Sequence, residues 1–216
     1  MMYQVPNSKI YFDLRNGYAT DRIVVREIWE EDVYEVSPGR ITDNGTVIDL
    51  GANIGAFSIY AAYHGGNVYA VEPEPNNLKA LRTNISLNNM DDQITVVPFG
   101  ITDKRGVAQI SNDGGDSTIK DGVGVSEIET MSLNALFIEN DIEEVDVLKI
   151  DTEGSELETI LGASRETLNK CRYIALEFDI RSGAQMGDMV RKLSETHHVR
   201  TMGSWVRGGM IWAWLY

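Results

Sequence analysis

The stretch TVIDLGANIGAFSIYAA, residues 46–62, constrains the fold more than any other part of the sequence. An apolar run leads into a loop that contains Gly51 and Gly55, and a second apolar run places Phe57 and Ala61 at helical spacing. A turn from a strand into a helix aims backbone N–H groups at a ligand, and glycines let that ligand approach the main chain. The stretch therefore predicts an α/β protein that binds a ligand at the carboxyl ends of its strands.

Strand-like runs alternate with helical segments along most of the chain, as in a parallel sheet with helices on both faces. Further strands are predicted at NVYAVEP (67–73), ITVVPFG (94–100), VDVLKID (145–151) and YIALEFD (173–179). The helix after the fourth strand is expected to bury Leu157, Ile160, Leu161 and Leu168. The last runs, HVRTMG and GMIWAWLY, predict an antiparallel pair at one sheet edge. The glycine- and aspartate-rich stretch 111–126 predicts a loop, either a ligand lid or a mobile connector.

Length and composition favour one domain of ordinary size, with 216 residues of which 43% are hydrophobic. The single Cys171 cannot form an internal disulfide, and the ends show no secretion signal, so we expect a cytoplasmic protein. No apolar run approaches the roughly 20 residues that cross a bilayer. The 33 acidic and 19 basic residues give a net charge of -14, which repels phosphate backbones and anionic lipids. We therefore expect neither a nucleic acid nor a membrane partner.

The glycine order in the first loop argues against phosphate-based ligands. Gly51, Asn53 and Gly55 give G-x-N-x-G instead of the dinucleotide fingerprint, and no P-loop lysine follows. S-adenosylmethionine, a nucleoside with a cationic tail, fits better, because Asp49 suits its positive charges and Glu72 at the next strand end suits its ribose. The alternative is that the glycines serve only the turn and helix packing, and that Glu72 is a solvated strand end.

Three segments together resemble the FkbM family of S-adenosylmethionine-dependent methyltransferases: VIDLGANIGAFSIYAA, VEPEPNNLKALRTNI and LKIDTEGSELETILGA. The resemblance covers about residues 27–203. It implies a seven-stranded Rossmann-like sheet with helices on both faces and an antiparallel last strand. It also divides the chain into an N-terminal segment, 1–45, which packs on or near the cofactor site, and a methyltransferase domain, 46–216.

By resemblance, the cofactor contacts come from the strand ends and the loops that follow them. The implied cofactor-binding residues are Asp49, Gly51, Asn53, Gly55, Glu72, Pro73, Gly100, Ile101 and Asp151. Tyr34 and Glu27 fall in a segment that can lie near the cofactor in the family. The family pattern also has a glutamate followed two positions later by histidine in the fifth strand, where this chain has Glu177 and Asp179.

Methyl transfer to a hydroxyl requires an acceptor held behind the methyl carbon and a group that takes the proton. We expect Asp151, Glu153 and Glu177 to be the catalytic residues. The alternatives are an internal Lys149–Asp151 ion pair and a solvated Glu153. Asp151, Glu177 and Asp179 could also converge on Mg²⁺. We expect no metal, because Asp179 replaces the family's histidine and the three ligands are inferred only from strand ends.

Other aromatic and histidine residues stay outside the predicted site. Trp205, Trp212, Trp214 and Tyr216 either wall a substrate pocket or belong to the core, which we favour for Trp212 and Trp214. His64, His197 and His198 show no ligand spacing, and the last two are expected to be exposed.

The predicted function is O-methylation of a hydroxyl on a sugar, glycan or small metabolite. The alternatives are a non-catalytic S-adenosylmethionine-binding protein and a nucleotide-dependent oxidoreductase. Methylation of a nucleobase is disfavoured, because the fourth strand ends in DTEG and not in an N-P-P-Tyr type of sequence. The sequence predicts neither the acceptor nor the oligomeric state.

Overall fold

The computed structural model describes residues 1–110, 126–178, 183–204 and 208–216. The strands in these ranges are β1 Met2–Gln4, β2 Tyr11–Asp13, β3 Thr46–Leu50, β4 Asn67–Val71, β5 Ile94–Val97, β6 Gly100–Thr102, β7 Gly106–Ile110, β8 Ser126–Ser132, β9 Val145–Ile150, β10 Cys171–Phe178, β11 His197–Ser204 and β12 Gly208–Leu215. The helices are α1 Thr20–Trp29, α2 Ala56–Tyr63, α3 Pro75–Leu87, α4 Leu133–Glu139, α5 Glu156–Gly162, α6 Arg165–Asn169 and α7 Gly183–Leu193.

The central sheet has seven strands in the order β11-β12-β10-β9-β3-β4-β5. Strands β3, β4, β5, β9 and β10 are parallel, and β12 runs antiparallel to both of its neighbours. The predicted Rossmann-like methyltransferase sheet is therefore confirmed. Strand order reverses between β3 and β9, and the carboxyl ends of strands at such a switch point form a crevice for ligands.

The two faces of this sheet are buried by different helices, as predicted. On one face, Val47 and Val147 belong to a cluster that also holds buried residues of α1, α2 and α3. On the other face, Ile48 and Leu148 belong to a cluster with residues of α4, α5, α6 and α7. Neighbouring residues of one strand enter opposite clusters, because successive side chains of a strand point to opposite faces.

A small second sheet, in the order β6-β8-β7, was not predicted from the sequence. Strand β8 pairs in parallel with β6 and antiparallel with β7. This sheet fixes Gly100 and Ile101 next to the carboxyl end of β5. The predicted loop at 111–126 lies outside the described residues except for Ser126, which begins β8.

The predicted single helix after β9 is two helices, which is a correction to the sequence analysis. Ala163 has extended backbone with ψ 133°, and the Ser164 side chain accepts the N–H of Thr167 to start α6. The break changes the helical phase, so Ile160 and Leu168 are buried as expected while Leu161 is 45% exposed. The serine cap explains the difference, since caps of this type begin helices.

Two expectations for aromatic and histidine residues were wrong. Trp212 is buried as predicted, but Trp214 is 39% exposed and meets the ring of His198 on the edge strand β11. His197 is fully buried instead of exposed, because its ring nitrogens bond the Thr196 hydroxyl at 2.6 Å and the Cys171 carbonyl oxygen at 2.8 Å. Trp205 lies outside the described residues.

The N-terminal residues are fastened to α3 by side-chain amides. The Asn84 and Asn88 oxygens accept the backbone N–H groups of Asp13 and Tyr11 at 2.7 and 2.9 Å. The division of the chain at residue 45 stays a prediction. Among the helices of the described ranges, none is both long and apolar enough to cross a membrane.

Candidate active site

The loop between β3 and α2 has the left-handed backbone that its glycines permit. Gly51 has φ +77°, and a Cβ there would lie 1.7 Å from the Asp151 carbonyl oxygen. Gly55 has φ +91°, and a Cβ there would meet Leu81 at 2.7 Å. Gly51 thus lets the first loop approach the end of β9, while Gly55 allows α2 to pack against α3. Gly51 lines both cavities described below, and Gly55 is not among the lining residues of either.

The first cavity measures about 590 Å³ and lies at the ends of β3, β4 and β9. Most of the residues expected to bind the cofactor line it, namely Gly51, Asn53, Glu72, Pro73, Gly100, Ile101 and Asp151. Val71, Phe99 and Ile110 add apolar surface. The lining residues within the described part of the chain include no lysine or arginine. This cavity is suited to a nucleoside, with a carboxylate on one side and apolar walls for a flat base.

Glu72 is only 4% exposed, and protein donors hold both of its carboxylate oxygens. Oε1 accepts the Glu74 backbone N–H at 2.9 Å and the Asn77 side-chain amide at 3.2 Å. Oε2 accepts the Asn53 backbone N–H at 2.8 Å. Burial raises the pKa of Glu72 although these bonds oppose the rise. Since Oε1 already accepts two bonds, the open acceptor position for a ligand hydroxyl is on Oε2.

The second cavity adjoins the first across Gly51 and Asn53 and measures about 800 Å³. Helix α1, the start of α2 and the ends of β9 and β10 form its walls. Its apolar lining residues are Ile23, Val24, Ile28, Val33, Ala52, Ala56 and Phe57. Its charged lining residues are Glu27, Lys149, Asp151, Glu153 and Glu177. The cavity therefore has an apolar side and a charged side.

Tyr34 joins two of the three predicted catalytic acids that line this cavity, Asp151 and Glu177. Its hydroxyl lies 2.8 Å from Asp151 Oδ2 and 3.2 Å from Glu177 Oε2. Burial, then the charges of Asp151 and Glu177, raises the pKa of Tyr34 well above its usual value, so the hydroxyl remains a donor. Burial and the Asp151 charge raise the pKa of Glu177 to about 7. The Tyr34 hydroxyl has one hydrogen and can donate it to only one of the two carboxylates at a time. When Glu177 carries a proton, Glu177 can donate to the Tyr34 oxygen while Tyr34 donates to Asp151.

Lys149 lies beneath the loop and is 3% exposed. Its Nζ is 3.1 Å from Asp49 Oδ1, 3.6 Å from Asp151 Oδ2 and donates to the Gly51 carbonyl oxygen at 2.9 Å. Burial acts to lower the pKa of Lys149, but Asp49 and Asp151 outweigh it and raise that pKa. The internal Lys149–Asp151 ion pair considered above is therefore present, and Lys149 also supports the loop.

Asp49 lies elsewhere than the sequence led us to expect. It is fully buried, accepts the Ser58 hydroxyl at 2.6 Å and is not among the lining residues of either cavity. Its carboxylate neutralises Lys149 behind the loop instead of facing a ligand at the mouth. Asp49 and Lys149 are register partners on the adjacent parallel strands β3 and β9. Their side chains therefore lie side by side on the same face of the sheet.

The segment after β9 is held by Glu156, a glutamate that was not predicted to be catalytic. Glu156 Oε1 accepts the backbone N–H groups of Thr152 and Gly154 at 3.1 and 2.8 Å. Glu153 has φ +55° and lines both cavities beside Asp151. Its position next to Asp151 agrees with the predicted site, and its catalytic role stays a prediction.

The proposed three-carboxylate Mg²⁺ site is not tested by the structure. No group of three or more metal-binding side chains occurs within the described ranges. Asp179, the third predicted ligand, lies outside them. The expectation of a metal-free reaction therefore stays a prediction.

Two residues of the site carry little local signal in the sequence. Tyr34 was noted only as a residue of the N-terminal segment, and it reaches Asp151 across 117 positions of chain. Arg15 was not noted at all. Its guanidinium donates to the side-chain oxygens of Asn53 and Asn77 beside Glu72. No spacing rule finds such contacts, because they depend on how the N-terminal segment folds over the sheet.

The sheet order, the antiparallel β12 and the cavities at the switch point define a protein of the Rossmann-like methyltransferase class. Residues 49–202 match the methyltransferase FkbM domain. Because this match spans more than half of the chain, the chain belongs to the FkbM methyltransferase family, as the sequence resemblance predicted.

Curated relatives agree with this family. The chain is 24% identical to methyltransferase SdnD of Sordaria araneosa, with 76% of this chain and 79% of that protein covered. It is 27% identical to hexuronic acid methyltransferase AglP of Haloferax volcanii, with 83% and 78% covered. It is 25% identical to 31-O-demethyl-FK506 methyltransferase FkbM of Streptomyces tacrolimicus, with 88% and 85% covered.

Solved structures agree with the fold. The methyltransferase FkbM of Methylobacillus flagellatus KT gives a TM-score of 0.56 at 20% identity, covering 80% of this chain and 44% of that one. SMU.1697c of Streptococcus mutans, solved in complex with SAH, gives a TM-score of 0.56 at 9% identity, covering 94% and 100%. At these identities the likeness supports the fold alone.

Proposed function

We propose that this protein transfers a methyl group from S-adenosylmethionine to a hydroxyl of a sugar, glycan or small metabolite. The observation that carries the proposal is the position of Asp151, which lines both cavities. A nucleoside cofactor in the first cavity and an acceptor in the second would meet beside this carboxylate. The name of one relative, which acts on a 31-O-demethyl compound, supports a hydroxyl acceptor, and the name of another, a hexuronic acid methyltransferase, supports a sugar acceptor.

The first cavity fits a nucleoside cofactor better than a dinucleotide. Glu72 Oε2 offers a charged acceptor for a ribose hydroxyl, which makes a strong hydrogen bond. The absence of lysine and arginine from its described lining leaves a pyrophosphate without a cationic partner. Asp151 and Glu153 would instead favour a positively charged tail. The cofactor would supply an electrophilic methyl group.

Asp151 is the residue that we assign to the acceptor hydroxyl. Its carboxylate would accept the hydrogen bond of that hydroxyl and then take its proton as the acceptor oxygen bonds the methyl group and the sulfur–methyl bond breaks, with its electron pair left on sulfur. The Tyr34 hydroxyl lies 2.8 Å from Asp151 Oδ2 and would help to hold this carboxylate beside the acceptor. The apolar residues of α1 and Phe57 would exclude water from the reacting groups.

We propose a reaction that needs no metal, with Mg²⁺ held by Asp151, Glu177 and Asp179 as the alternative. Activity should then persist in EDTA. Loss of activity in EDTA and its return with added Mg²⁺ would replace our proposal with the metal-assisted one, because an ion-activated hydroxyl loses its activator when the ion leaves.

The test of the proposed function starts with the cofactor, because the acceptor is not identified. Calorimetry should show that S-adenosylmethionine and S-adenosylhomocysteine bind more tightly than NAD. Panels of sugars, glycans and small metabolites are then incubated with the protein and S-adenosylmethionine, and methylated products are detected by mass. Tighter binding of NAD would favour an oxidoreductase. Binding of S-adenosylmethionine without methylation of any panel member would favour a non-catalytic binding protein.

We also propose a cytoplasmic protein whose partner is the small acceptor and not a nucleic acid. The formal charge of -14 supports the absence of a nucleic acid partner, because the averaged field repels a phosphate backbone. A filter-binding experiment with RNA and DNA at low salt checks it, and we expect no retention.

A further inference from the structure

We propose that Arg15 is a positioning residue of the cofactor site, which orients Asn77 and Asn53 so that they hold Glu72 for a ribose diol. This inference rests on the proposed function, because it assumes a nucleoside ligand at Glu72. It assigns a role in the cofactor site to a residue of the N-terminal segment that lines neither cavity.

Asp21 holds the Arg15 guanidinium in place beside the cofactor site. Nε and Nη2 both donate to the Asp21 carboxylate, at 3.1 and 2.6 Å, and the Arg15 backbone N–H donates to Asp21 Oδ2 at 2.8 Å. Asp21 is 1% exposed, and the Arg15 side chain is 13% exposed. The Tyr18 ring lies 4.0 Å from the guanidinium carbon. The fork of donors is therefore held in one orientation.

The remaining donors of this fork determine how two asparagines face Glu72. Nη1 donates to Asn77 Oδ1 at 2.5 Å, and Nη2 donates to Asn53 Oδ1 at 3.2 Å. Asn77 then presents its Nδ2 to Glu72 Oε1 at 3.2 Å, and Asn53 presents its backbone N–H to Glu72 Oε2 at 2.8 Å. Arg15 thus contacts Glu72 only through these two residues.

The orientation of the Asn77 amide follows from the chemistry of its two neighbours. An arginine has donors and no acceptor, whereas an ionised carboxylate has acceptors and no donor. Only one of the two amide orientations satisfies both neighbours, so Arg15 makes the flipped amide unfavourable. Without Arg15, Asn77 could turn its oxygen toward Glu72 and displace the carboxylate from the position that receives the ribose.

The experiment measures binding of S-adenosylhomocysteine and of 5′-methylthioadenosine by calorimetry. The second ligand keeps the adenine and ribose and lacks the amino acid tail. The main variant is Arg15→Lys, because a lysine retains a charge for Asp21 but cannot span two asparagines as the planar fork does. We expect the dissociation constants of both ligands to rise by the same factor, about 10-fold. A thermal unfolding scan of the ligand-free protein checks that the variant is folded.

A double-mutant cycle tests whether Arg15 acts through Asn77. Asn77→Ala alone should also weaken both ligands, and the Arg15→Lys/Asn77→Ala double variant should be no more than about two-fold weaker than the poorer single variant. A purely structural role for Arg15 would give additive losses instead. The matched control is Arg26→Lys, an exposed arginine of α1 paired with Glu31, which should leave both affinities unchanged.

Each contrary outcome has a separate meaning. If the parent protein does not bind S-adenosylhomocysteine, the proposed function fails. If the parent binds it and Arg15→Lys binds both ligands as tightly as the parent does, the inference alone is overturned. A loss confined to S-adenosylhomocysteine would also overturn it, since Arg15 would then serve the amino acid tail. Should Arg15→Lys not fold, full-strength binding by Asn77→Ala would still overturn it, because that variant leaves the Arg15–Asp21 pair intact.

Discussion

The first and second cavities share Gly51, Asn53, Asp151 and Glu153, yet their carboxylates are held in different ways. Glu72 in the first cavity accepts three hydrogen bonds from donors that are themselves fixed. In the second, Asp151 and Glu177 share one hydroxyl from Tyr34, and Asp151 Oδ2 also lies 3.6 Å from Lys149 Nζ. A carboxylate surrounded by donors stays in place and suits binding. A pair of carboxylates that shares one hydrogen suits proton transfer.

The difference between the cavities gives a direct test at Asp151, where we expect the largest effect. Asp151→Asn keeps an oxygen for the Tyr34 hydroxyl but removes the charge that takes the acceptor's proton. Turnover should fall by about 10²- to 10⁴-fold, the usual effect of losing an acid–base group. The affinity for S-adenosylhomocysteine should stay within a few-fold of the parent, because this ligand lacks the sulfonium charge that Asp151 would face. Mass detection of methylated acceptor and calorimetry measure the two quantities.

A matched control for this prediction is Asp92→Asn, which neutralises an exposed aspartate away from both cavities. It should change neither turnover nor affinity. If Asp151→Asn turned over as fast as the parent on the true acceptor, the division into a binding carboxylate and a reacting carboxylate would be wrong.

The second test concerns Glu72 and the binding side of the comparison. Glu72→Gln keeps the side-chain shape but replaces one acceptor oxygen by an NH₂ group among the donors of Asn53, Glu74 and Asn77. The dissociation constant for S-adenosylhomocysteine should rise by about 10- to 100-fold, as for loss of a charged hydrogen bond. With cofactor at saturation, turnover should recover most of its parent value. An unchanged dissociation constant would mean that Glu72 does not contact the ligand.

Much of the fold could be predicted because its signals are local. Gly51 and Gly55 predict the β3–α2 loop, and the position of Glu72 at the end of β4 predicts its place in the site. The alternation of strand and helix, together with the family resemblance, predicted the parallel sheet, the helices on both of its faces and the antiparallel last strand. Asp151 was identified by the same strand-end rule, since parallel strands bring their carboxyl ends to one edge of the sheet.

The features that escaped prediction depend on contacts between distant parts of the chain. Arg15 reaches Asn53 across 38 positions, and strand β8 pairs with both β6 and β7 to form the small sheet. The break between α5 and α6 depends on one serine cap in an otherwise helical pattern. His197 looked exposed because its burial depends on the Cys171 carbonyl oxygen of another strand. Periodicity within a segment carries no information about such partners.

The smallest expected effect concerns the protons of the second cavity. Burial, followed by the Asp151 charge, raises the pKa of Glu177 from 4.5 to about 7 in the folded protein. Between these pH values the folded protein binds a proton at this position that the unfolded chain has released. The contribution of Glu177 to the free energy of unfolding is therefore fully present below pH 4.5 and is lost as the pH rises to about 7. After allowance for solvent screening and for coupling to Asp151, we expect a loss of roughly 1–2 kcal/mol.

Glu177→Gln isolates this contribution from groups that titrate in the same range. His197, whose pKa burial lowers, acts with the opposite sign, since its stabilising effect is lost as the pH falls below 6.5. Urea unfolding of the parent and of Glu177→Gln is therefore compared at pH 4.5, 6 and 7.5. The difference in free energy should change by roughly 1–2 kcal/mol over this range, with the variant gaining relative to the parent as the pH rises. The exposed Glu195→Gln should run parallel to the parent. A Glu177→Gln curve that is also parallel would show that Glu177 has the same pKa in the folded and unfolded protein, and the proposed sharing of a proton in the second cavity would be wrong.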